Sequence, residues 1–329
     1  MRILEGVGST GREAGIPLAL AIGNFDGVHK GHQELVRLAR ARAAALGGEA
    51  GVLTFWPHPA RIFAPTLAPP LIVSLERRLE LLAETGADLA VVEPFTRELA
   101  AIEAEDFVRD WLVGRLGARE LVVGYDFSFG RGRRGNADML RALGAALGLG
   151  VSIVSPVSVD GLPCSSTKVR ELVLEGRVEG AALLLGRPFE VTGPVVHGAG
   201  RGRGLGIPTA NVASEAELLP KLGIYAARAH VLDARGASES SHLVALSVGN
   251  NPTFNPLAGA PGAASPVTVE AHLLDFDGDL YGRRLRVDVL HRLRDERRFE
   301  SVEALLAQIH ADIAQVRASS PSSDDRRLT

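Results

Sequence analysis

The sequence predicts two folds in series: an α/β half built on a parallel sheet, then a small antiparallel β-barrel closed by a helix. Three observations predict them. From Leu18 to Leu185, strand-like apolar runs alternate with stretches of helical spacing, the pattern of a parallel sheet covered on both faces. From Phe189 onward, strand follows strand with only turn signals between, which indicates an antiparallel sheet or small barrel. Gly186-Arg187-Pro188 marks the change. The expected domains are therefore residues 1–185 and 186–318, with a polar tail over 319–329 that reads as disordered.

The length of 329 residues holds two ordinary domains, and the formal charge of −3 is close to balance. No basic stripe suggests nucleic acid and no polybasic patch suggests a membrane surface. No apolar run reaches bilayer length. The expected partners are small molecules, with no nucleic acid, no membrane and the oligomeric state left open. Cys164 is the single cysteine, so no internal disulfide can form. With no signal-peptide pattern at the start, a cytoplasmic protein is expected.

The first strand is the apolar run Pro17 to Ile22, and Leu35, Leu38 and Ala39 mark the helix that follows. Between them lies Gly23-Asn24-Phe25-Asp26-Gly27-Val28-His29-Lys30-Gly31-His32. Gly27 and Gly31 permit a sharp turn and close approach of a ligand. The free N–H groups at the helix start favour an anion. His29 and His32 fall on one face of the first helical turn, over the place a phosphate would occupy. A plain surface pair in a Gly-rich turn is the alternative, and no third ligand at metal spacing stands nearby.

Ala50 to Phe55 is the second strand, broken by Trp56-Pro57-His58-Pro59, whose prolines would fix a loop presenting His58. Helical spacing at Leu75, Leu79 and Leu82 precedes a strand from Ala87 to Val92. Phe107, Trp111 and Leu112 then mark a helix, and Glu120 to Val123 a strand. Met139, Leu140, Leu143 and Leu147 mark the next helix, and Val151 to Val154 the next strand. Ligands of such sheets bind beyond the carboxyl ends of the strands, where the unusual residues of this chain fall. One such turn is Val123 to Gly135, whose Arg131, Arg133 and Arg134 read as a solvated charge run. In another, Ser165, Ser166 and Thr167 make a good helix N-cap. With Lys168 and Arg170 they also suit a triphosphate. Helical spacing continues through Leu172 to Leu174 and Ala181 to Leu185.

The second half has strand patterns at Phe189–Val196, Gly223–Leu232, His242–Val248, Val267–Leu274 and Leu285–Leu290. Asp233 to Ser241 and Asn255 to Ser265 read as loops. Val302, Leu305, Leu306 and Ile309 form the apolar stripe of a closing helix. The segment Gly198 to Asn211 reads GAGRGRGLGIPTAN. Its main-chain N–H groups, over Gly198, Gly200, Arg201, Gly202, Gly204 and Gly206, can surround phosphates. It is not a P-loop, because no Gly-Lys-Ser/Thr follows. Thr209 and Asn211, two residues apart on an extended segment, point to one side and offer oxygens suited to Mg2+.

Gly23 to His32 resembles the HxGH motif of the nucleotidylyltransferase superfamily. More closely, it resembles the adenylyltransferase half of the bacterial bifunctional riboflavin kinase/FMN adenylyltransferase (FAD synthetase) family. Thr54 to Phe63 resembles that family's PHP segment, Val123 to Gly135 its GxDFxFG loop, and Cys164 to Arg170 its SSTxxR motif. In the second half Gly206 to Asn211 resembles its G-[FI]-PTAN motif, and Gly223 to Ala226 its GVYA strand. Ser247 to Phe254, Glu270-Ala271-His272 and Asp279 to Gly282 resemble NIGxxPTF, ExH and DLYG. The resemblance runs from about Leu18 to Ala314. Ser247 stands where Asn is usual, Cys164 opens the SSTxxR segment, and the loop Asn255 to Ser265 looks inserted.

The resemblance implies a Rossmann-like nucleotidylyltransferase domain followed by a riboflavin kinase barrel with a C-terminal helix. It implies two reactions: phosphorylation of riboflavin to FMN by ATP and Mg2+, and adenylylation of FMN to FAD and pyrophosphate by a second ATP. In the first domain, Gly23, Asn24, Phe25, Asp26, Gly27, Gly31, Ser165, Ser166, Thr167, Lys168 and Arg170 would bind nucleotide, with His29 and His32 catalytic. Asp126, Phe129 and Tyr225 would contact flavin. In the second domain, the Gly-rich loop would cover phosphates, Thr209 and Asn211 would hold the metal, and Glu270 would be the base. A flavin-binding regulatory protein with decayed sites and a nucleotidylyltransferase for another cofactor precursor are the competing readings. The PTAN and ExH segments speak against the second of these.

Overall fold

The computed structural model describes residues 1–8, 15–198, 204–250 and 267–319. Gly200, Arg201 and Gly202, the segment Asn251 to Phe254, the loop Asn255 to Ser265 and residues 320–329 lie outside the described residues. The chain divides into two compact units, Met1–Ser166 and Thr167–Thr329.

The first unit carries six parallel strands: β1 (Arg2–Glu5), β2 (Leu18–Ile22), β3 (Glu49–Trp56), β4 (Leu89–Pro94), β5 (Ala118–Gly124) and β6 (Gly150–Val154). They lie in the order β1-β4-β3-β2-β5-β6. Helices α1 (Lys30–Leu46), α2 (Pro59–Phe63), α3 (Leu75–Glu84), α4 (Arg97–Ala100), α5 (Ala104–Asp106) and α6 (Ala137–Leu147) connect them, α5 running into a π-helix at Phe107–Arg115. β2 is buried along its whole length, as a central strand covered on both faces must be. The strand order reverses between β2 and β5, and a ligand crevice opens beyond the carboxyl ends at such a reversal. The turn after Ile22 and the loop after Gly124 both leave from that point. β1 has no counterpart among the sequence-predicted strands, because it is an edge strand with only Leu4 buried. A short hairpin, β7 (Ser158–Val159) with β8 (Leu162–Pro163), ends the unit.

The second unit opens with α7 (Ser166–Leu174) and α8 (Val178–Leu185). The division at Ser166 falls one helix pair before the composition change at Leu185. Both helices attach to the barrel side: α8 packs on β9 (Phe189–Val196) and β14 (Arg284–Arg294), and Lys221 N donates to the Val173 carbonyl at the end of α7. The barrel is closed and antiparallel, in the order β10 (Ala210–Val212), β13 (Val267–Leu273), β12 (Ser238–Asn250), β11 (Gly223–Leu232), β14, β9. Alternation turns Val191, Ala227, Ala229, Val244, Val287 and Val289 into a buried set.

Two expectations are corrected here. The loop expected over Asp233 to Ser241 is shorter, because β12 already begins at Ser238. Main-chain pairing to β11 does not require apolar side chains, and Asp233 Oδ1 closes the tight turn by accepting from Arg235 N and Ala237 N, each at 2.8 Å. In the closing helix α9 (Val302–Ala318), Val302 is 51% exposed and does not pack. The face turned inward follows Leu305, Ile309, Asp312 and Val316, a helical repeat that includes a carboxylate.

Candidate functional sites

In the first unit the turn after β2 is held in a conformation most side chains avoid. Phe25 and Val28 have φ of 51° and 43°, with Gly27 at 82° between them. Left-handed backbone is unusual for any residue with a side chain and most unusual for β-branched valine. A Cβ on Gly27 would also meet the Ile72 side chain at 3.0 Å. His29 is the N-cap of α1, and its Nδ1 accepts from His32 N at 3.4 Å. That contact leaves the proton of a neutral His29 ring on Nε2. The His29 and His32 rings stack with centroids 3.7 Å apart and planes 19° from parallel. Gly31 makes this possible, since a Cβ there would lie 3.1 Å from the His29 ring and 3.3 Å from the Cys164 carbonyl.

Several expected nucleotide contacts have structural work here. Phe25 is buried, with its ring 5.1 Å from that of His32. Gly23 N donates to the Leu53 carbonyl, and the Asn24 carbonyl accepts from Thr54 Oγ1 at 3.0 Å. The Asp26 carboxylate is buried and accepts from Ile72 N and Val73 N. Two first-turn amides of α1 already have side-chain acceptors, His32 N on His29 and Gly31 N on the Cys164 sulfur. Burial pushes the Cys164 thiol up against that N–H, so it is a poor candidate for a thiolate nucleophile.

Ser166 Oγ donates to the Asp26 carbonyl at 2.9 Å, tying the SSTxxR segment to the turn. Ser165 precedes it, and Thr167, Lys168 and Arg170 follow on α7, where Lys168 pairs with Glu171 at 2.7 Å and Arg170 is buried. After a cis Trp56–Pro57 bond, His58 caps α2 by accepting from Ala60 N at 3.2 Å. Beyond β5, Asp126 is exposed, whereas Phe129 is in the core, stacked on Phe127 at 5.3 Å and 6.0 Å from Phe107. Phe129 therefore supports the loop from beneath.

In the second unit a cavity of about 310 Å³ is bounded by strands β11, β12 and β13, the segment before β10 and the closing helix. Leu205, Ile207, Ile224, Phe299, Leu305 and Ile309 give it apolar walls. Thr209, Ser247, Glu270 and His272 line it as polar groups, and Arg294, Glu296, Arg297 and Asp312 as charged ones. The barrel register explains that grouping: Asn211 stands opposite Glu270, and Glu270 opposite Ser247, so the three form one row across β10, β13 and β12. The Asn211 amide lies against Gly198, leaving no room for a side chain there. Gly204 and Gly206 are described and border the same segment. His272 Nδ1 donates to the Pro208 carbonyl at 2.7 Å, which fixes the backbone just before Thr209 and leaves Nε2 as the acceptor of a neutral ring.

Tyr225, expected at flavin, does not line this cavity. Its neighbour Ile224 does, because successive residues of a strand face opposite ways. Tyr225 is fully buried and its hydroxyl donates to the Lys221 carbonyl; burial pushes that hydroxyl's pKa up, with Arg292 opposing. A register shift between β11 and β14 underlies this. Ile224 pairs with Arg294 and Tyr225 with Arg292, so one extra β14 residue, Leu293, is bulged out. Two arginines that a regular strand would place on one face are thereby separated. Arg294 borders the cavity with Ile224, while Arg292 lies 5.9 Å over the Tyr225 ring.

Arg294 and Asp312 were not legible as site residues. The buried Asp312 carboxylate accepts from Arg294 Nε at 3.0 Å and Nη2 at 2.7 Å, and from Gln308 Nε2 at 2.7 Å, latching α9 to β14. The charged residue on an otherwise apolar helical repeat was the available signal.

The FAD synthetase family model matches residues 12–168 and the riboflavin kinase family model residues 185–320. A bifunctional riboflavin kinase/FMN adenylyltransferase of Pseudomonas fluorescens is 40% identical over 93% of this chain and 94% of its own. The protein of the same name from Escherichia coli K12 is 35% identical over 95% of this chain and 96% of its own. A crystal structure titled as a macrolide-efflux protein from Streptococcus pneumoniae superposes with a TM-score of 0.83 at 30% identity, over 97% of this chain and 99% of that one. No helix among the described residues is long and apolar enough to cross a membrane.

Proposed function

The chain belongs to the family of bifunctional riboflavin kinase/FMN adenylyltransferases, and from that membership we propose how its residues divide the two reactions. The enzyme phosphorylates riboflavin with ATP to FMN, then adenylylates FMN with ATP to FAD and pyrophosphate.

The kinase step belongs to the barrel. The riboflavin 5′-hydroxyl attacks the γ-phosphorus, the bond to ADP breaks, and Glu270 takes the hydroxyl proton. The observation that carries this assignment is the shared cavity of Glu270 and Thr209, with Asn211 beside Glu270 in the strand register. The apolar walls suit a flat flavin ring, with the ribityl chain directed to Glu270 and Thr209. Thr209 and Asn211 would hold Mg2+. Their neutral oxygens suit an ion held chiefly by phosphates and water. When bound it supplies charge neutralisation at the ATP phosphates. Gly198, Gly204 and Gly206, with Gly200, Arg201 and Gly202, are assigned to the phosphate-covering segment.

The adenylyl step belongs to the HxGH turn. The FMN phosphate attacks the α-phosphorus of ATP and pyrophosphate leaves; an ionised phosphate needs no base. His29 and His32 donate hydrogen bonds to phosphate oxygens as charge moves to the leaving group. Gly23, Asn24, Gly27 and Gly31 shape the nucleotide's seat, and Ser165, Ser166, Thr167, Lys168 and Arg170 are assigned to it by their motif. A cytoplasmic enzyme accords with the single, partly buried cysteine. We also assign the domain change to the Leu185/Gly186 junction.

Chromatographic product analysis with riboflavin, ATP and Mg2+ tests the scheme, with FMN, nicotinamide mononucleotide and phosphopantetheine compared as adenylyl acceptors. FMN followed by FAD is expected, and FMN as the preferred acceptor. ATP consumption without flavin nucleotides, or preference for another acceptor, refutes it.

A further inference from the structure

Arg78 on α3 takes no part in the chemistry above, yet its side chain is 0% exposed. It lies 5.7 Å over the Trp56 ring, and its Nη2 is 3.8 Å from Asp26 Oδ1, itself 1% exposed. A guanidinium and a carboxylate withdrawn from water cost more in desolvation than a well-packed apolar pair of the same size. Stability alone does not explain why they are there.

Their position does. Asp26 sits inside the turn that carries His29 and His32. Its carboxylate accepts from Ile72 N at 3.1 Å and Val73 N at 3.4 Å, clamping the segment before α3 under Gly27. The carbonyls of the turn are also taken up: Asn24 by Thr54, Phe25 by Val28 N, Asp26 by Ser166 and Val28 by Gln33 Nε2 at 2.9 Å. Left-handed Phe25 and Val28 persist only where the surroundings over-determine them. The paired carboxylate is the innermost of those restraints. Without its cation, Asp26 would be a buried charge short of its counter-ion and would draw in water, loosening the clamp.

We propose that Arg78 is a positioning residue for adenylyl transfer: paired with Asp26 beneath the turn, it holds the left-handed Phe25–Val28 backbone from which His29 and His32 reach the phosphates. This rests on the assignment of the HxGH turn to adenylyl transfer, and the bifunctional chain carries its own control.

In full-length Arg78→Met, the kcat for FAD formation from FMN is expected to fall roughly 10²-fold, the cost of misplacing reacting groups by about an ångström. KM for ATP and the rate of riboflavin phosphorylation should stay near wild type. Arg78→Lys, which keeps the charge, should recover most of the loss. Asp26→Asn, which keeps an acceptor oxygen but not the charge, should show the same selective loss, smaller in size, and decides the matter if Arg78→Met does not fold. Wild-type FAD formation in a folded Arg78→Met overturns the proposal. So does a parallel fall of both activities with melting temperature, or a Lys variant no better than Met. His32→Ala is measured alongside. If it keeps FAD formation, the site assignment fails; if it loses FAD formation while Arg78→Met does not, only the role of Arg78 fails.

Discussion

The turn after β2 and the barrel cavity, the two sites proposed for phosphates and flavin, are built by different means. In the turn the geometry resides in the main chain: left-handed residues, the carbonyls of Asn24, Phe25, Asp26 and Val28 met by donors, and a buried carboxylate clamping a neighbouring segment. In the barrel it resides in side chains: Glu270 and Ser247 stand side by side and line one cavity, with Asn211 next to Glu270 in the register. The difference follows the chemistry. Displacement by an ionised phosphate needs donors held still, whereas a hydroxyl nucleophile needs a group that takes its proton. A substitution at one side chain should therefore injure the barrel reaction more than the turn reaction.

The sharpest test sets Glu270→Gln against His32→Ala in the full-length enzyme. Glu270→Gln should lower FMN formation by roughly 10²–10⁴ while FAD formation from supplied FMN continues. His32→Ala should do the reverse and cost on the order of 10²–10³, the range for one preorganised donor. A larger loss for His32→Ala would break the comparison. Next in size, Asn211→Ala should raise the Mg2+ needed for half-maximal FMN formation by about 10–100-fold. An unchanged Mg2+ titration removes Asn211 from the site.

Smaller effects sharpen the boundary between the regions. A fragment from Thr167 and one from Gly186 should both make FMN and no FAD. The longer one should melt higher, because it keeps α8 on β9 and β14. Equal melting would show that α7 and α8 do not stabilise the barrel. The smallest effect concerns Glu93 at the end of β4, which is 6% exposed and accepts from Val7 N at 2.6 Å. Burial lifts its carboxyl above the ordinary 4.5, with the Val7 N–H opposing. A folded value above the unfolded one means stability that is complete in acid and lost as pH rises through the folded value. Glu93→Gln should thus melt a degree or two higher than wild type near neutral pH, a gain that vanishes below about pH 4. A gain that persists in acid would assign it to packing instead.

Both sites were legible where function depends on contiguous residues. The strand-to-helix turn with its two histidines, and the Thr209 and Asn211 pair, are local patterns that geometry follows directly. Glu270 needed the resemblance, because an alternating strand with one carboxylate looks like any exposed strand. Arg78 and Asp312 gave too little signal, since their partners lie 52 and 18 residues away. Phe25 and Phe129 were placed at ligands because they sit inside motifs, yet apolar rings next to a site more readily join the core beneath it. Tyr225 stands one strand position from Ile224, which lines the cavity, and strand alternation alone does not say which parity faces it.

The bulge at Leu293 gives that last point a wider meaning. Arg292 and Arg294 serve the core and the cavity because β14 is one residue longer there than its partner requires. Closing the bulge with Leu293 kept would pair Leu293 with Ile224 and turn Arg294 onto the Arg292 face, and with it the strand end that leads to Phe299 and α9. The placing of the two arginines is thus written as a count of residues, and a comparison of amino-acid types at aligned positions would pass over it.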